Sequence, residues 1–186
     1  IQTSQAMIVS EDGFHFNNWD KKKVLPTVHD EEVGEPKMRD PKVWKDGDSY
    51  YMMMGSSYHD AGRVLFYTSK DGENWTYANQ CRPESYGWTI ECPDLFSQND
   101  QWIFIGCPMR LTPGEKKYPD QAVWALAEFD PKTCELKLPD THSYVDYGLD
   151  LYAPQTTLDA EGRRVMISWM RMPMAVTDST DRPAWN

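Results

Sequence analysis

Three tripeptides recur along the chain, each just ahead of a strand-like run. They are Arg39-Asp40-Pro41, Glu91-Cys92-Pro93 and Tyr152-Ala153-Pro154, separated by 52 and then 61 residues. Two carry a carboxylate, and a guanidinium and a phenol stand among them. Carboxylates move protons, a guanidinium offers a fork of donors to hydroxyls, and aromatic faces cover a ring; gathered together, such groups make a sugar site. Asp40 and Glu91 are the candidates for acid and base work, with Arg39, Asp150 and Tyr152 beside them. Taken alone, the two carboxylates suggest an acid and a nucleophile. The plainer alternative is a turn or a surface ion pair, and the equivalence in phase of Asp40 with Glu91 argues against it.

Residues so far apart can meet only if a repeated element positions them. A second repeat has the same sense: Ser10-Glu11-Asp12-Gly13-Phe14-His15-Phe16 matches Ser69-Lys70-Asp71-Gly72-Glu73-Asn74-Trp75, 59 residues on. Its Asp-Gly pairs favour tight hairpin turns, because glycine takes the positive φ such turns need. Between these signals lie strand-length runs rich in aromatic and β-branched residues: Ser49 to Met54, Val64 to Ser69, Trp102 to Gly106, Ala122 to Phe129 and Arg164 to Trp169. Within one period the order is strand Pro41 to Trp44, turn 45–48, strand to Met54, strand Arg63 to Thr68, Asp-Gly turn, strand Asn74 to Ala78. That is a four-stranded antiparallel meander, the blade of a β-propeller. The Met52-Met53-Met54 run does not alternate, which suits a strand buried on both faces. The expected fold is all-β, with blades near Asp40 to Asn79, near Glu91 to Lys137 and from Tyr152 onwards, and Ser10 to Phe16 closing an earlier one. In a propeller the residues just before the innermost strands crowd the mouth of the channel, so Asp40, Glu91 and Asp150 or Tyr152 should converge there.

Composition narrows the partners. The chain has 186 residues with 8 Trp, 10 Tyr and 6 Phe, enough for a packed core. Against 29 acidic residues stand 19 basic ones, a formal charge of -10. This argues against nucleic acid or an anionic membrane as partner and for a small neutral ligand. No apolar run approaches the length that spans a bilayer. The cysteines, Cys81, Cys92, Cys107 and Cys134, show no C-x-x-C spacing, and the four histidines form no H-x-x-x-H. We expect no metal, no cofactor, buried free thiols and a cytoplasmic location.

Arg39-Asp40-Pro41 and Glu91-Cys92-Pro93 resemble the RDP and EC motifs of glycoside hydrolase family 32, the invertases, fructanases and sucrose-6-phosphate hydrolases. Tyr147-Gly148-Leu149-Asp150-Leu151-Tyr152-Ala153-Pro154-Gln155 is similar to that family's aspartate-rich segment ending in Y-A-x-Q. Ile167-Ser168-Trp169-Met170 is similar to its later G-W-M strand. The resemblance runs from about Ser10 to Asn186. It implies a five-bladed β-propeller, usually followed by a β-sandwich, that hydrolyses terminal β-fructofuranosidic bonds with retention.

By that likeness Glu91 is the general acid/base, and Asp40 grips fructose hydroxyls and stabilises the oxocarbenium-like transition state instead of attacking. Arg39 orients Asp40 and touches substrate; Tyr152, Trp169 and Asp150 are substrate-binding candidates, although Trp169 also reads as core and Asp150 as a turn cap. The nucleophile of the resemblance belongs to a W-M-N-D-P-N-G stretch on the first strand of blade one, which this sequence lacks. The expectation is a partial propeller over 1–186, from the end of blade one into blade four. The nucleophile strand, blade five and the sandwich are then missing, so the chain alone is inactive. Competing readings are a non-catalytic sugar-binding propeller and a five-bladed arabinoside hydrolase. A sialidase is disfavoured because Arg39, Arg63, Arg82, Arg110, Arg163 and Arg164 form no triad at equivalent blade positions.

Overall fold

The computed structural model describes residues 3–26, 37–111, 120–148 and 150–171. Its strands are β1 (Gln5–Met7), β2 (Lys22–Leu25), β3 (Arg39–Asp46), β4 (Ser49–Tyr58), β5 (Ala61–Ser69), β6 (Thr76–Cys81), β7 (Thr89–Gln98), β8 (Gln101–Met109), β9 (Val123–Asp130), β10 (Glu135–Lys137), β11 (Ser143–Tyr144), β12 (Leu151–Leu158) and β13 (Arg164–Met170). One short 3-10 turn, Asn18–Asp20, is the single departure from β structure among the described residues. Asn17 caps it, its side chain accepting from the Trp19 N–H.

Two complete antiparallel meanders follow each other. One runs β3-β4-β5-β6, and the next has β7 to β10 in spatial order β10-β9-β8-β7, with β11 added along β9. The pairs β1–β2 and β12–β13 flank them. Strand ends reach a few residues beyond the sequence expectation, because ladder pairing continues through polar residues that apolar runs do not flag: Asp46 pairs Ser49, and Tyr58 pairs Ala61. The first of those hairpins closes on two residues, with Gly47 at φ 56°.

The Asp-Gly repeats are not tight hairpins, and this is a correction. Between β5 and β6 the Asp71 carboxylate accepts the N–H groups of Glu73 and Asn74 at 2.9 and 2.8 Å, while Ser69 Oγ accepts that of Gly72 at 2.9 Å. Between β1 and β2, Asp12 and Ser10 repeat the pattern on Phe14, His15 and Gly13. Glycine supplies the positive φ in both turns, but the aspartate holds the loop by replacing backbone partners. The same loop therefore recurs between two pairs of strands, β1 with β2 and β5 with β6.

β4 shows why a methionine run makes a strand here. Met53 joins Phe66, Ile90, Phe104 and Val123 in the core between the two meanders. Met52 and Met54, on the other face, join Leu25, Met38, Leu65 and Tyr67 in the core towards β1–β2. All three are buried, Met53 and Met54 completely. Alternating side chains feed two apolar layers, so no polar alternation survives. A third cluster, Cys107, Ala122 and Tyr152, seats β12 against the second meander.

Candidate active site

The innermost strands β3, β7 and β12 lie side by side, β7 packing against both others. Each begins with one of the recurring tripeptides, and all three share a backbone device that the sequence hides. Asp40, Cys92 and Ala153 sit at φ 55°, 46° and 50°. The ladder shifts register across each of them, between Arg39 and Lys42, Glu91 and Asp94, and Tyr152 and Gln155. These are β-bulges. The proline that follows has no N–H to donate, so pairing breaks there without orphaning a donor. A left-handed non-glycine residue costs about 1–2 kcal/mol, and the bulge uses it to re-aim the residues on either side.

The bulge also corrects the phase. Arg39, Glu91 and Tyr152 are equivalent to one another, and Asp40 is equivalent to Cys92 and Ala153. Neighbouring strands therefore present their leading side chains to each other. Arg39 Nη1 donates to Glu91 Oε1 at 2.5 Å, and the Tyr152 hydroxyl donates to Glu91 Oε2 at 3.0 Å. Asp40 Oδ2 accepts the Cys92 N–H at 3.0 Å, with the Cys92 thiol 3.6 Å away. The two carboxylates thus stand at the same end of neighbouring strands, Asp40 bound to the residue that follows Glu91. Arg39 grips Glu91 and not Asp40, the partner expected from sequence.

Electrostatics keep the donors as donors. Burial, then the nearby Cys107 and Glu91, hold the Tyr152 hydroxyl far above its ordinary range. Burial and the Asp40 carboxylate do the same for Cys92, and burial lifts Cys107 to about 12. Tyr152 is held in place by Arg171, whose guanidinium lies 4.4 Å from the ring centre and donates to the Asp120 carbonyl at 3.2 Å. Nothing in the motif pattern pointed to Arg171.

Trp169 lies directly across the ladder from Tyr152 and is 58% exposed. Asp150 is exposed, and its carbonyl accepts from the Arg171 N–H at 2.6 Å. Among the described residues the Glu91 carboxylate binds Arg39 and Tyr152, and neither Trp169 nor Asp150 hydrogen-bonds to it. Arg182 to Asn186 lie outside the described residues.

One step along from the bulges is a layer that sequence reading missed. Lys42 Nζ lies 3.1 Å from Asp94 Oδ1 and donates to the Thr156 carbonyl at 2.5 Å, while Thr156 N–H donates to Asp94 Oδ2 at 2.6 Å. Asp94 is completely buried. Gln155 Nε2 adds a bond to the Cys92 carbonyl at 3.0 Å. The available signal was that each residue stands immediately after its proline: Lys42, Asp94 and Gln155. Gly55 is the other missed element. It pairs with Arg39, and a Cβ there would come within 2.1 Å of the Ile90 carbonyl oxygen, so only glycine lets β7 approach.

A cleft of about 550 Å³ lies at the far ends of the same strands, among Asp46, Ser97 and Leu158. The chemistry favours the Glu91 end, where a carboxylate holds two fixed donors and a second carboxylate binds the N–H of the next residue. Among the described residues no group of three or more His, Cys, Asp or Glu gathers as for a metal ion, and no helix is long and apolar enough to cross a membrane.

Blades built on bulged inner strands, with carboxylates at the channel mouth, define a β-propeller with an acidic mouth. The chain belongs to the glycosyl hydrolases family 32, whose N-terminal domain matches residues 1–186. Its architecture is part of that family's five-bladed propeller. It is 37% identical over 145 residues to the sucrose-6-phosphate hydrolase of Salmonella typhimurium, covering 73% of this chain and 31% of the relative. The probable sucrose-6-phosphate hydrolase of Psychromonas ingrahamii is 32% identical over 186 residues, 98% of this chain and 32% of the relative. The chain thus spans about a third of the length of these relatives. Among solved structures, the Bombyx mori β-fructofuranosidase BmSUC1 is 32% identical with a TM-score of 0.70, covering 90% of this chain and 39% of that one. The sucrose-6-phosphate hydrolase of Lactobacillus gasseri shares the fold, with a TM-score of 0.80 at 24% identity over 98% of this chain and 38% of that one.

Proposed function

We propose that this chain carries the acid/base half of a retaining hydrolase of terminal β-fructofuranosidic bonds, acting on sucrose, its 6-phosphate or a fructan. The observation that carries the reading is the Arg39–Glu91–Tyr152 cluster, with Asp40 hydrogen-bonded to the residue next to Glu91. Two of its relatives are named for hydrolysis of sucrose 6-phosphate, and a mutant of BmSUC1 was solved with sucrose.

In this reading Glu91 protonates the glycosidic oxygen as the bond breaks, then takes a proton from the incoming water. Arg39 and Tyr152 fix the carboxyl group's orientation between those steps. Asp40 holds ring hydroxyls and offsets the positive charge that develops at the anomeric carbon. Trp169 and Asp150 supply the sugar's further contacts. Retention also needs an attacking carboxylate about 5 to 5.5 Å from the acid, on the opposite side of the ring. Asp40, bound to hydroxyls, cannot line up there, so the attacker comes from a strand outside this sequence, in a parent polypeptide. A cytoplasmic location fits the four free thiols.

The test is Glu91→Gln in the parent polypeptide, assayed on sucrose and on a fructoside with an activated leaving group. A leaving group of low pKa hardly needs a proton. Turnover on sucrose should fall by about 10²–10⁴-fold, and much less on the activated substrate. Equal losses on both would remove Glu91 from the acid's role. No turnover by the unmutated polypeptide, with sugar still bound, would leave a binding propeller in place of an enzyme.

A further inference from the structure

Arg171 reaches the carboxylate cluster at the mouth through a ring, not through an ion pair. Arg39 and Lys42 carry their charges on an inner strand and pair directly with Glu91 and Asp94. Arg171 instead follows the last residue of β13, and its side chain is 17% exposed. Two attachments fix it. Its N–H donates to the Asp150 carbonyl at 2.6 Å, which carries the β12–β13 pairing one residue beyond Leu151 and Met170. Its Nη2 donates to the Asp120 carbonyl at 3.2 Å, with Nη1 4.0 Å from Asp120 Oδ2. Asp120 is anchored in turn, since its Oδ1 accepts the Arg110 N–H at 2.9 Å.

The guanidinium so placed lies over the ring of Tyr152, its Cζ 4.4 Å from the ring centre. The Arg171 Nε–H is buried and has no acceptor among the described residues. A buried donor without an acceptor disfavours the folded state, so hydrogen bonding alone does not account for this placement. The contact with the ring does. Tyr152 needs such a hold, because its hydroxyl donates to Glu91 Oε2 at 3.0 Å and its buried neighbours, Cys107 and Ala122, are small. The planar guanidinium is what closes over the ring. With the fork taken up by Asp120 and Nε enclosed, the side chain serves a neighbouring residue and not a sugar.

We propose that Arg171 is a positioning residue for the acid: by closing over Tyr152 it keeps the phenol on Glu91, and so keeps the carboxyl group aimed at the glycosidic oxygen. The proposal rests on the fructosidase reading for the reaction, and on the contacts Asp120–Arg171–Tyr152–Glu91 for the path. An acid displaced by about an ångström loses much of its effect, which makes a residue one contact away matter to the rate.

Three readouts on the parent polypeptide test this. Arg171→Met should lower turnover on sucrose at least about tenfold, and by less than about threefold on a fructoside with an activated leaving group, which hardly needs the proton. Arg171→Gln, which can still donate to Asp120 but carries no charge to the ring, should show the same split and guards against a misfolded methionine variant. In a double-mutant cycle with Tyr152→Phe, which keeps the ring and removes the hydroxyl, Arg171→Met should add less than about twofold to the loss. A crystal structure of either Arg171 variant should show the Tyr152 hydroxyl more than about 3.5 Å from Glu91 Oε2, beyond hydrogen-bond reach. Unchanged turnover on sucrose overturns the proposal, and equal losses on the two substrates overturn it by making Arg171 a general support of the fold. Losses that multiply in the cycle remove Tyr152 from the path, and a phenol still bound to Glu91 in the variants does the same. If the unmutated polypeptide cleaves neither substrate, the fructosidase reading falls by itself, while the position of Tyr152 in the variants still decides whether Arg171 holds it on Glu91.

Discussion

Glu91 has one oxygen on a guanidinium from the preceding inner strand and the other on a phenol from the following one. That arrangement needs the neighbouring residues to stay neutral, and burial ensures it. Burial raises the Cys81 and Cys134 thiols to about 11 and Cys107 to about 12, and burial with the Asp40 charge raises Cys92 as well. A thiol with a pKa near 11 is only about a thousandth thiolate at pH 8, and the thiolate is the reactive form. Iodoacetamide at pH 8 should therefore leave all four cysteines unmodified in the folded protein, over a time in which urea-denatured protein loses all four. Mass spectrometry reads the count. Rapid modification of Cys92 in the folded protein would mean that the thiol beside Asp40 is ionised, and the pocket would then hold one more negative charge than described. At this scale part was legible in the sequence: Arg39 and Tyr152 bind Glu91, and Asp40 binds the Cys92 N–H beside it. The partner of Arg39 was not, because phase depends on which residue of each tripeptide turns left-handed.

A strand that feeds a bulge must also let its neighbour come close, and Gly55 is where β4 does so. A Cβ at Gly55 would press on the Ile90 carbonyl 2.1 Å away, immediately before Glu91, in backbone that cannot swing aside as a side chain can. Gly55→Ala should cost about 1–3 kcal/mol of stability by overpacking and, on the proposed fructosidase reading, should lower turnover in the parent polypeptide through displacement of Glu91. Gly47→Ala is the control. Its φ of 56° makes it costly by about 1 kcal/mol, but open space surrounds it and activity should not change. Urea unfolding and turnover measured on both variants check this; equal turnover would show that β7 can retreat without disturbing its first residues. The meander and the methionine-filled strand were legible because short aromatic and β-branched runs between turn signals have few other solutions. The bulges were not, since Cys and Ala are unusual left-handed residues and nothing in their types announces it. The Asp-Gly loops were misjudged for a related reason: the glycine was visible, but the role of the aspartate is a set of side-chain bonds to backbone three residues on.

At the scale of the molecule, the described residues give the blades few shared backbone hydrogen bonds, so what fixes their mutual angle is side-chain packing and one buried polar layer. Lys42, Asp94 and Thr156 come from three successive inner strands and bind one another just beneath the carboxylates, Lys42 Nζ standing 3.1 Å from Asp94 Oδ1 as an ion pair and the Thr156 N–H donating to Asp94 Oδ2. Asp94 is fully buried and the Lys42 side chain is 18% exposed, so solvent screens the pair little. Breaking such a pair leaves an uncompensated charge in the interior, which typically costs 3–5 kcal/mol; the residual exposure of Lys42 argues for the lower end when Asp94 is the residue removed. Asp94→Ala should thus lower stability by about 3 kcal/mol, and Lys42→Met by a similar amount, because it strands the buried carboxylate. The double variant Lys42→Met with Asp94→Leu should recover part of the loss, since two apolar residues of similar bulk carry no unpaired charge. Two-state urea unfolding of the four proteins gives the numbers, and the coupling between the substitutions separates the pair from the packing around it. If each single variant lies within about 0.5 kcal/mol of the parent, the layer does not set the angle between blades. The spacing of Glu91 from Arg39 and Tyr152 would then rest on the apolar cores alone.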